Sequence, residues 1–357
     1  MSVENRPPRL FIPGPVEVEP EILAELARPM IGHRAPEFAE LAGPVHRQLQ
    51  QFLHTSDPVM LATSSATGVM EAAVRNCVRQ KVLCCVNGAF SSRWFKLCQQ
   101  NSIEATALEF EWGEAVKPEA VARALDEGDF DTVTVVHNET STGVMSPLAK
   151  IAEVVRNQDD VLLLVDAVTS MGAVPIEASD WGLDVVLAGT QKALALPPGL
   201  TVFAVSGRAL ERAAQKEGRG GYIDFVGMVK SYKKDQTPTT PVIPLIYALG
   251  KRLAGILEDP VRWYGDHQER AELTRDWARD RFALFAEEGY ESVSVTSIEN
   301  TRGTSIADLN AHLRQNHGMI LSNGYGDLKE KTFRIGHMGA NDLAAHRELL
   351  GAIDGFL

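Results

Sequence analysis

Residues 161–199 read VLLLVDAVTSMGAVPIEASDWGLDVVLAGTQKALALPPG, and the fold turns on how this stretch divides. Its opening run, Val161–Val165, is too short for an ordinary helix and reads as a strand buried on both faces. A carboxylate, Asp166, closes it. A second apolar run, DVVLAG, leads into Gln191 and Lys192 in a turn of small residues, so an amine stands 26 residues beyond the acid. In an open parallel sheet, ligands sit outside the carboxyl ends of the strands, and the two groups can therefore face one crevice. A lysine with short neighbours there, Thr190 and Ala193, is partly desolvated; its pKa falls and its amine becomes a nucleophile toward an aldehyde. A carboxylate in the same crevice would keep a pyridine nitrogen protonated. The plain alternative leaves Asp166 as a helix cap and Lys192 as a solvated surface group.

Composition narrows the field. A chain of 357 residues can form two domains with a sizeable core. Its 45% hydrophobic and 23% charged residues are ordinary for a soluble globular protein. The net charge of −12 repels nucleic acid and anionic membranes, so an anionic substrate needs a local positive site. The start, MSVENRPPRLFIPG, carries no apolar leader, and no run approaches the roughly 20 apolar residues of a membrane span. A cytoplasmic protein is expected. Cys77, Cys84, Cys85 and Cys98 form no CxxC pair and have no histidine at metal-ligand spacing, so they read as reduced structural thiols and no metal site is expected.

In chain order, a polar arm turns apolar at Leu10–Ile12 before Pro13-Gly14-Pro15. A helix is expected from Pro20, an extended piece at Gly32-His33-Arg34, and an amphipathic helix over Glu37–His54. The segment PVMLATSSATGVMEAAVRNCV then gives strand, turn and helix. Ser65, Ala66 and Thr67 at that helix start suit an anion, and equally an unliganded N-cap. VLCCVNGAFSSRW is the next strand and turn. After a helix over Ala115–Glu127, DTVTVVHNETSTGV forms a buried strand with a polar exit. There His137 is either a base or a structural hydrogen-bonder. A crossover helix follows over Pro147–Asn157. The alternation from about residue 58 to 204 predicts an α/β fold with a mostly parallel, doubly wound sheet. No GxGxxG fingerprint is present, which removes the main support for a nicotinamide coenzyme. Beyond a basic loop within Arg208–Lys234 comes the proline-flanked pair Thr239-Thr240. The stretch Tyr247–Phe285 is expected to be mostly long helix, followed by a compact α+β unit with Arg334 at a strand end. A guanidinium fork there can pair both oxygens of a substrate carboxylate, though from the residues alone pairing with a neighbouring glutamate is the better reading. The expected division is a large domain over 15–250 and a small one over 251–357 together with the arm 1–14.

VDAVTSMG, GTQKAL, PPGL and RIGHMG resemble the class V aminotransferases, in the alanine–glyoxylate and serine–pyruvate branch of fold-type-I pyridoxal phosphate (PLP) enzymes; the similarity covers nearly the whole chain. The resemblance implies PLP held as a Schiff base on Lys192, which also acts as general acid and base, with Asp166 on the ring nitrogen. It places Ser65, Ala66, Thr67 and Gln191 on the phosphate, joined by Thr240 reaching across a homodimer to the other subunit's coenzyme. Phe90 would stack on the ring where this branch usually has tryptophan, with Trp94 close enough in sequence to be the ring instead, and Thr140 and Val168 would line the pocket. Gly14 and Arg334 would serve the substrate, Arg334 by orienting its carboxylate. His33 and Arg34 would lie near the substrate mouth and dimer contact, or only pair with local carboxylates. The implied reaction moves an amino group from an alanine- or serine-type donor to a keto acid such as glyoxylate or pyruvate, with these small molecules as partners and neither nucleic acid nor membrane. Phosphoserine or aminophosphonate transamination, with discriminating loops around Arg34 and Arg219, stays open, as does pyridoxamine–pyruvate transamination. A cysteine desulfurase needs a mobile thiol near its C-terminal domain, and the last cysteine here is Cys98. A scaffold without catalysis would carry a damaged lysine or aspartate, and both are intact.

Overall fold

Leu162–Asp166 forms the middle strand of a seven-stranded sheet in the computed structural model, which describes residues 7–357. Residues 1–6 of the expected arm lie outside the described residues. The strands run in chain order as β1 (Arg9–Phe11), β2 (Val59–Ala62), β3 (Lys81–Val86), β4 (Glu104–Glu109), β5 (Thr132–Val136), the hairpin β6 (Asn138–Glu139) and β7 (Val144–Met145), β8 (Leu162–Asp166), β9 (Val185–Gly189) and β10 (Thr201–Val205). The C-terminal part adds β11 (Ala283–Leu284), β12 (Val295–Glu299), β13 (Met319–Asn323) and β14 (Thr332–Gly336). In the large sheet the order is β2-β10-β9-β8-β5-β3-β4.

Alternation along β8 explains why that sheet is covered on both sides. Leu163 and Val165 pack with the helices Pro36–Phe52 and Ile243–Glu258, whereas Leu162 and Leu164 join Val69, Val74 and Ala209 of the helices on the opposite face. The same split recurs at Val186 and Val185 of β9, as the period of two in a strand requires. Mostly parallel pairing is therefore present, with one exception. β10 runs antiparallel to both β9 and β2. The link from β9 to β10 contains no helix and turns through Pro197-Pro198-Gly199, with Gly199 at φ +128. Without a crossover element the chain can only return antiparallel.

The second sheet has the order β1-β13-β14-β12-β11. β1 joins it in parallel, so the start of the described chain pairs with the C-terminal strands. The mostly helical stretch expected over Tyr247–Phe285 consists of two helices, Ile243–Glu258 and Pro260–Arg281. Pro260 lacks the N–H that a continuing helix needs and excludes helical backbone at Asp259, whose carboxylate instead caps the next helix by accepting from Arg262 N at 3.0 Å. All four cysteines are buried and free, as expected for structural thiols. No helix among the described residues is long and apolar enough to cross a membrane.

Shortening a strand side chain that is packed on both sides should cost far more than trimming an exposed one. Leu164→Ala is expected to lower unfolding free energy by about 2–5 kcal/mol, against less than about 0.5 kcal/mol for Val261→Ala, a largely exposed residue. Denaturant midpoints of the two variants check this.

Candidate active site

β2, β5, β8 and β9 are mutually parallel, so the segments that follow them emerge along one edge of the sheet. There they surround a cavity of about 420 Å³, within the usual range of about 300–1,000 Å³ for cofactor and small-molecule clefts. Asp166 and Lys192 line this one cavity, together with Gly14, Ser65, Ala66, Thr67, Phe90, Thr140, Val168 and Gln191. The amine and the carboxylate thus face the same space.

Burial is the largest influence on each. It raises the Asp166 carboxyl to about 6, helped by the Glu139 charge and opposed by the Val168 N–H, which donates to Oδ1 at 2.8 Å, and by the Arg93 and Lys192 cations. Lys192 is lowered to about 8 by burial and by the cations Arg334 and Arg93, while Asp166 and Glu139 act the other way. Its Nζ donates to the carbonyl of Pro13 at 2.5 Å. The next residue, Gly14, has φ +119, and a Cβ there would stand 2.6 Å from Lys192 Cδ and 3.0 Å from the Gln191 carbonyl. Only glycine lets the arm lie this close to the lysine.

The helix Ala66–Cys77 begins at the cavity. Ser65 is its N-cap residue, yet its side chain makes no capping bond, and its hydroxyl and the first backbone N–H groups stand beside open space. That is the donor set an anion takes at a helix start. Gln191 finds room because Gly189 has no Cβ; one built there would lie 2.5 Å from Gln191 Oε1. Thr140 Oγ1 meets Thr169 Oγ1 at 2.5 Å. Phe90, half-buried, starts the helix Ser91–Gln100.

The structure separates the two ring candidates. Trp94 is fully buried against Met70 and Cys84 and does not reach the cavity, so Phe90 is the available stacking ring. His137 is buried as well and absent from the cavity wall, with burial lowering it to about 4. Its backbone N–H donates to the Asp166 carbonyl at 2.9 Å, a structural role. Among the described residues Arg34 pairs with no carboxylate. It donates to the carbonyls of Thr237 and Pro238, the latter at 2.9 Å, and so clamps the segment that carries Thr240. Thr240 is exposed and lies off its own chain's cavity. Arg219 is engaged by Asp224 at 2.8 Å and by the Ala213 carbonyl, and lies off the cavity too.

Arg334 stands just behind the wall. Its NH1 donates to the Thr140 carbonyl at 3.2 Å and its Nε and NH2 to the Asn323 carbonyl, but no carboxylate pairs with it among the described residues. Burial lowers it to about 10. A buried cation that Glu139 reaches only through space, with no carboxylate in direct contact, is a place where a carboxylate is favoured.

Three functional candidates escaped the sequence reading. Arg93 lines the cavity, donates to Thr67 Oγ1 at 2.9 Å and lies 4.9 Å from the Phe90 ring. Its spacing from Phe90, three residues on within one helical turn, was the available signal. Glu139, fully buried, accepts from Phe90 N at 3.1 Å, Ser91 N at 2.8 Å and Ser141 Oγ at 2.6 Å, and so fixes the start of the Phe90 helix. Tyr325 enters from the loop between β13 and β14, its ring 5.3 Å from Phe90.

The α/β architecture that sets this lysine and aspartate in one strand-end cleft matches solved fold-type-I PLP aminotransferases. The family model described as aminotransferase class-V matches residues 21–275. The chain belongs to this family, which is PLP-dependent, and is thereby a transaminase. It is 36% identical to an uncharacterized aminotransferase of Methanocaldococcus jannaschii, covering 99% of this chain and 92% of the other. It is 33% identical to the serine–glyoxylate aminotransferase of Methylorubrum extorquens, with the same coverage. Among solved structures, the alanine–glyoxylate aminotransferase from Nostoc sp. superposes with a TM-score of 0.93 at 28% identity, covering 99% of this chain and 96% of that one.

Reactivity of the coenzyme-free protein tests this electrostatic picture. Because only the unprotonated amine attacks, labelling of Lys192 by an amine reagent should rise as pH passes through about 8 and level off above it. In Arg334→Gln one of the cations that depress it is gone, and the midpoint should move up. Gly14→Ala should push the lysine stem aside and slow labelling at every pH; peptide mapping by mass spectrometry reads all three.

Proposed function

We propose that the protein binds PLP in this cavity and transfers an amino group from a small amino acid of the alanine or serine type to a keto acid such as glyoxylate or pyruvate. The observation that carries the reading is that Lys192 and Asp166 both line one strand-end cleft. Bound there, PLP supplies an electron sink for the pair of electrons left at the substrate Cα when its proton departs. The chain's own residues do the rest. Lys192, lowered to about 8, holds its amine close to neutral pH and can take the proton from Cα and return one. Asp166 carries the negative charge that favours a protonated ring nitrogen. Ser65, Ala66, Thr67 and Gln191 provide hydroxyl, amide and backbone donors for the phosphate, and Phe90 an apolar face. Arg334 offers its fork to the substrate carboxylate.

Thr240 serves this scheme only in a homodimer, where Thr240 of the partner subunit would complete the phosphate site. Its exposure and the Arg34 clamp on the preceding residues support that placement. A proline-flanked segment loses little entropy when held against another subunit. The serine–glyoxylate and alanine–glyoxylate aminotransferases among the similar proteins favour small donors. The engagement of Arg219 by Asp224 leaves phosphorylated substrates without that cation.

Protein incubated with PLP should turn yellow, and borohydride should fix the coenzyme to Lys192 alone. A colourless protein, or label on another lysine, would count against the reading. Arg334→Ala should raise KM for amino-acid donors about tenfold or more while PLP affinity changes little. Thr240→Ala should weaken PLP binding in the dimer; an unchanged dissociation constant would remove Thr240 from the site.

A further inference from the structure

The residue farthest from any sequence signal is Tyr325. Among the residues lining the cavity, it alone comes from the part of the chain beyond Pro198. It sits in Gly324-Tyr325-Gly326, in the turn from β13 to β14, where Gly324 could accept no side chain: a Cβ there would stand 1.9 Å from the Leu328 carbonyl oxygen. The turn is pinned by Gly324 N to Thr332 O at 2.8 Å, Leu328 N to Tyr325 O at 3.1 Å, and Glu330 N to Asn323 Oδ1 at 2.8 Å. The phenol ring is therefore delivered by a held loop rather than by a free chain end. Its centroid lies 5.3 Å from that of Phe90 with the planes tilted by 46°, so it meets the large sheet's aromatic across the cavity mouth. The Arg334 guanidinium lies 5.6 Å from the same ring, within cation–π range.

We propose that Tyr325 is a specificity-determining residue whose ring closes the substrate end of the cavity beside Arg334, restricting the donor to α-amino acids with side chains of about alanine or serine size. The inference rests on the aminotransferase reading and deepens it. A donor with its carboxylate on Arg334 and its Cα near Lys192 lies under the phenol ring. Its side chain must then share the remaining space of a 420 Å³ cavity with the coenzyme and with Phe90. A methyl or hydroxymethyl group fits such a gap, and a branched or aromatic group displaces the ring. The ring also holds the guanidinium by its π face, so the same residue sets carboxylate position and side-chain size.

The test uses PLP-loaded wild type, Tyr325→Ala and Tyr325→Phe. Calorimetric titration with propanoate and 4-methylpentanoate reads binding without turnover, and the half-reaction with alanine and leucine reads kcat/KM. Apolar burial alone favours the larger acid, so a preference for the smaller one reports a steric wall. Wild type should prefer propanoate over 4-methylpentanoate and alanine over leucine by about tenfold or more, within the roughly 10–200-fold that pocket size can supply. Tyr325→Ala should lose at least about tenfold of both preferences, and Tyr325→Phe should restore them, since the ring and not the hydroxyl forms the wall. An unchanged ranking in Tyr325→Ala, or a wild type that favours the larger ligands, would overturn the inference. Should no amino acid react while the carboxylates keep their ranking by size, the aminotransferase reading fails and the wall stands.

Discussion

Two opposite charges withdrawn from water at the ends of neighbouring parallel strands are the constraint to which the rest of the site answers. Burial pushes Asp166 toward its acid form and Lys192 toward its free amine, and each charge partly holds the other ionised. The outcome is an acid near 6 and an amine near 8, values that leave both usable close to neutral pH. Such a pair survives only where the surroundings are rigid. The strands that carry it are buried on both faces by two separate apolar clusters, which fixes the positions of the strand ends. Arg93 and Glu139 then adjust the local field, and Glu139 doubles as the anchor of the helix that presents Phe90.

The arm joins this centre to the C-terminal sheet. β1 pairs with β13, and three residues on, Gly14 and the Pro13 carbonyl lie against Lys192. Gly336, at the end of β14, also accepts the arm closely: a Cβ there would come within 2.4 Å of the Ile12 carbonyl oxygen. Any displacement of the C-terminal sheet therefore moves the lysine's acceptor, Arg334 with its Asn323 carbonyl, and Tyr325 together. Domain motion is a common way for enzymes to admit substrate and exclude water, and these contacts are the route by which it would reach the reacting groups.

Much of this was legible in the sequence because the strands are strongly periodic and end on chemically distinctive residues. Asp166 follows an unbroken apolar run, Lys192 a second one, and Ser65–Thr67 a third, so the topology of parallel strands gathers them without further information. The pairing of Phe90 rather than Trp94 with the cavity was not decidable from spacing; it depends on which face of the helix Ser91–Gln100 is buried. Tyr325 was invisible because its place is set by the β13–β14 turn and by the docking of one sheet beside the other, both long-range facts. The reversal of β10 and the break at Pro260 were local signals that weigh less than the overall alternation, and each has its cause in a short helix-free link or a missing N–H.

The most direct measurement is a crystal structure of the protein grown with PLP. Continuous density from Lys192 Nζ to the coenzyme's aldehyde carbon, with the ring nitrogen within about 2.6–3.2 Å of an Asp166 oxygen, is the predicted result. A coenzyme bound elsewhere, or one whose ring nitrogen faces away from Asp166 while Lys192 remains on the Pro13 carbonyl, would contradict the account.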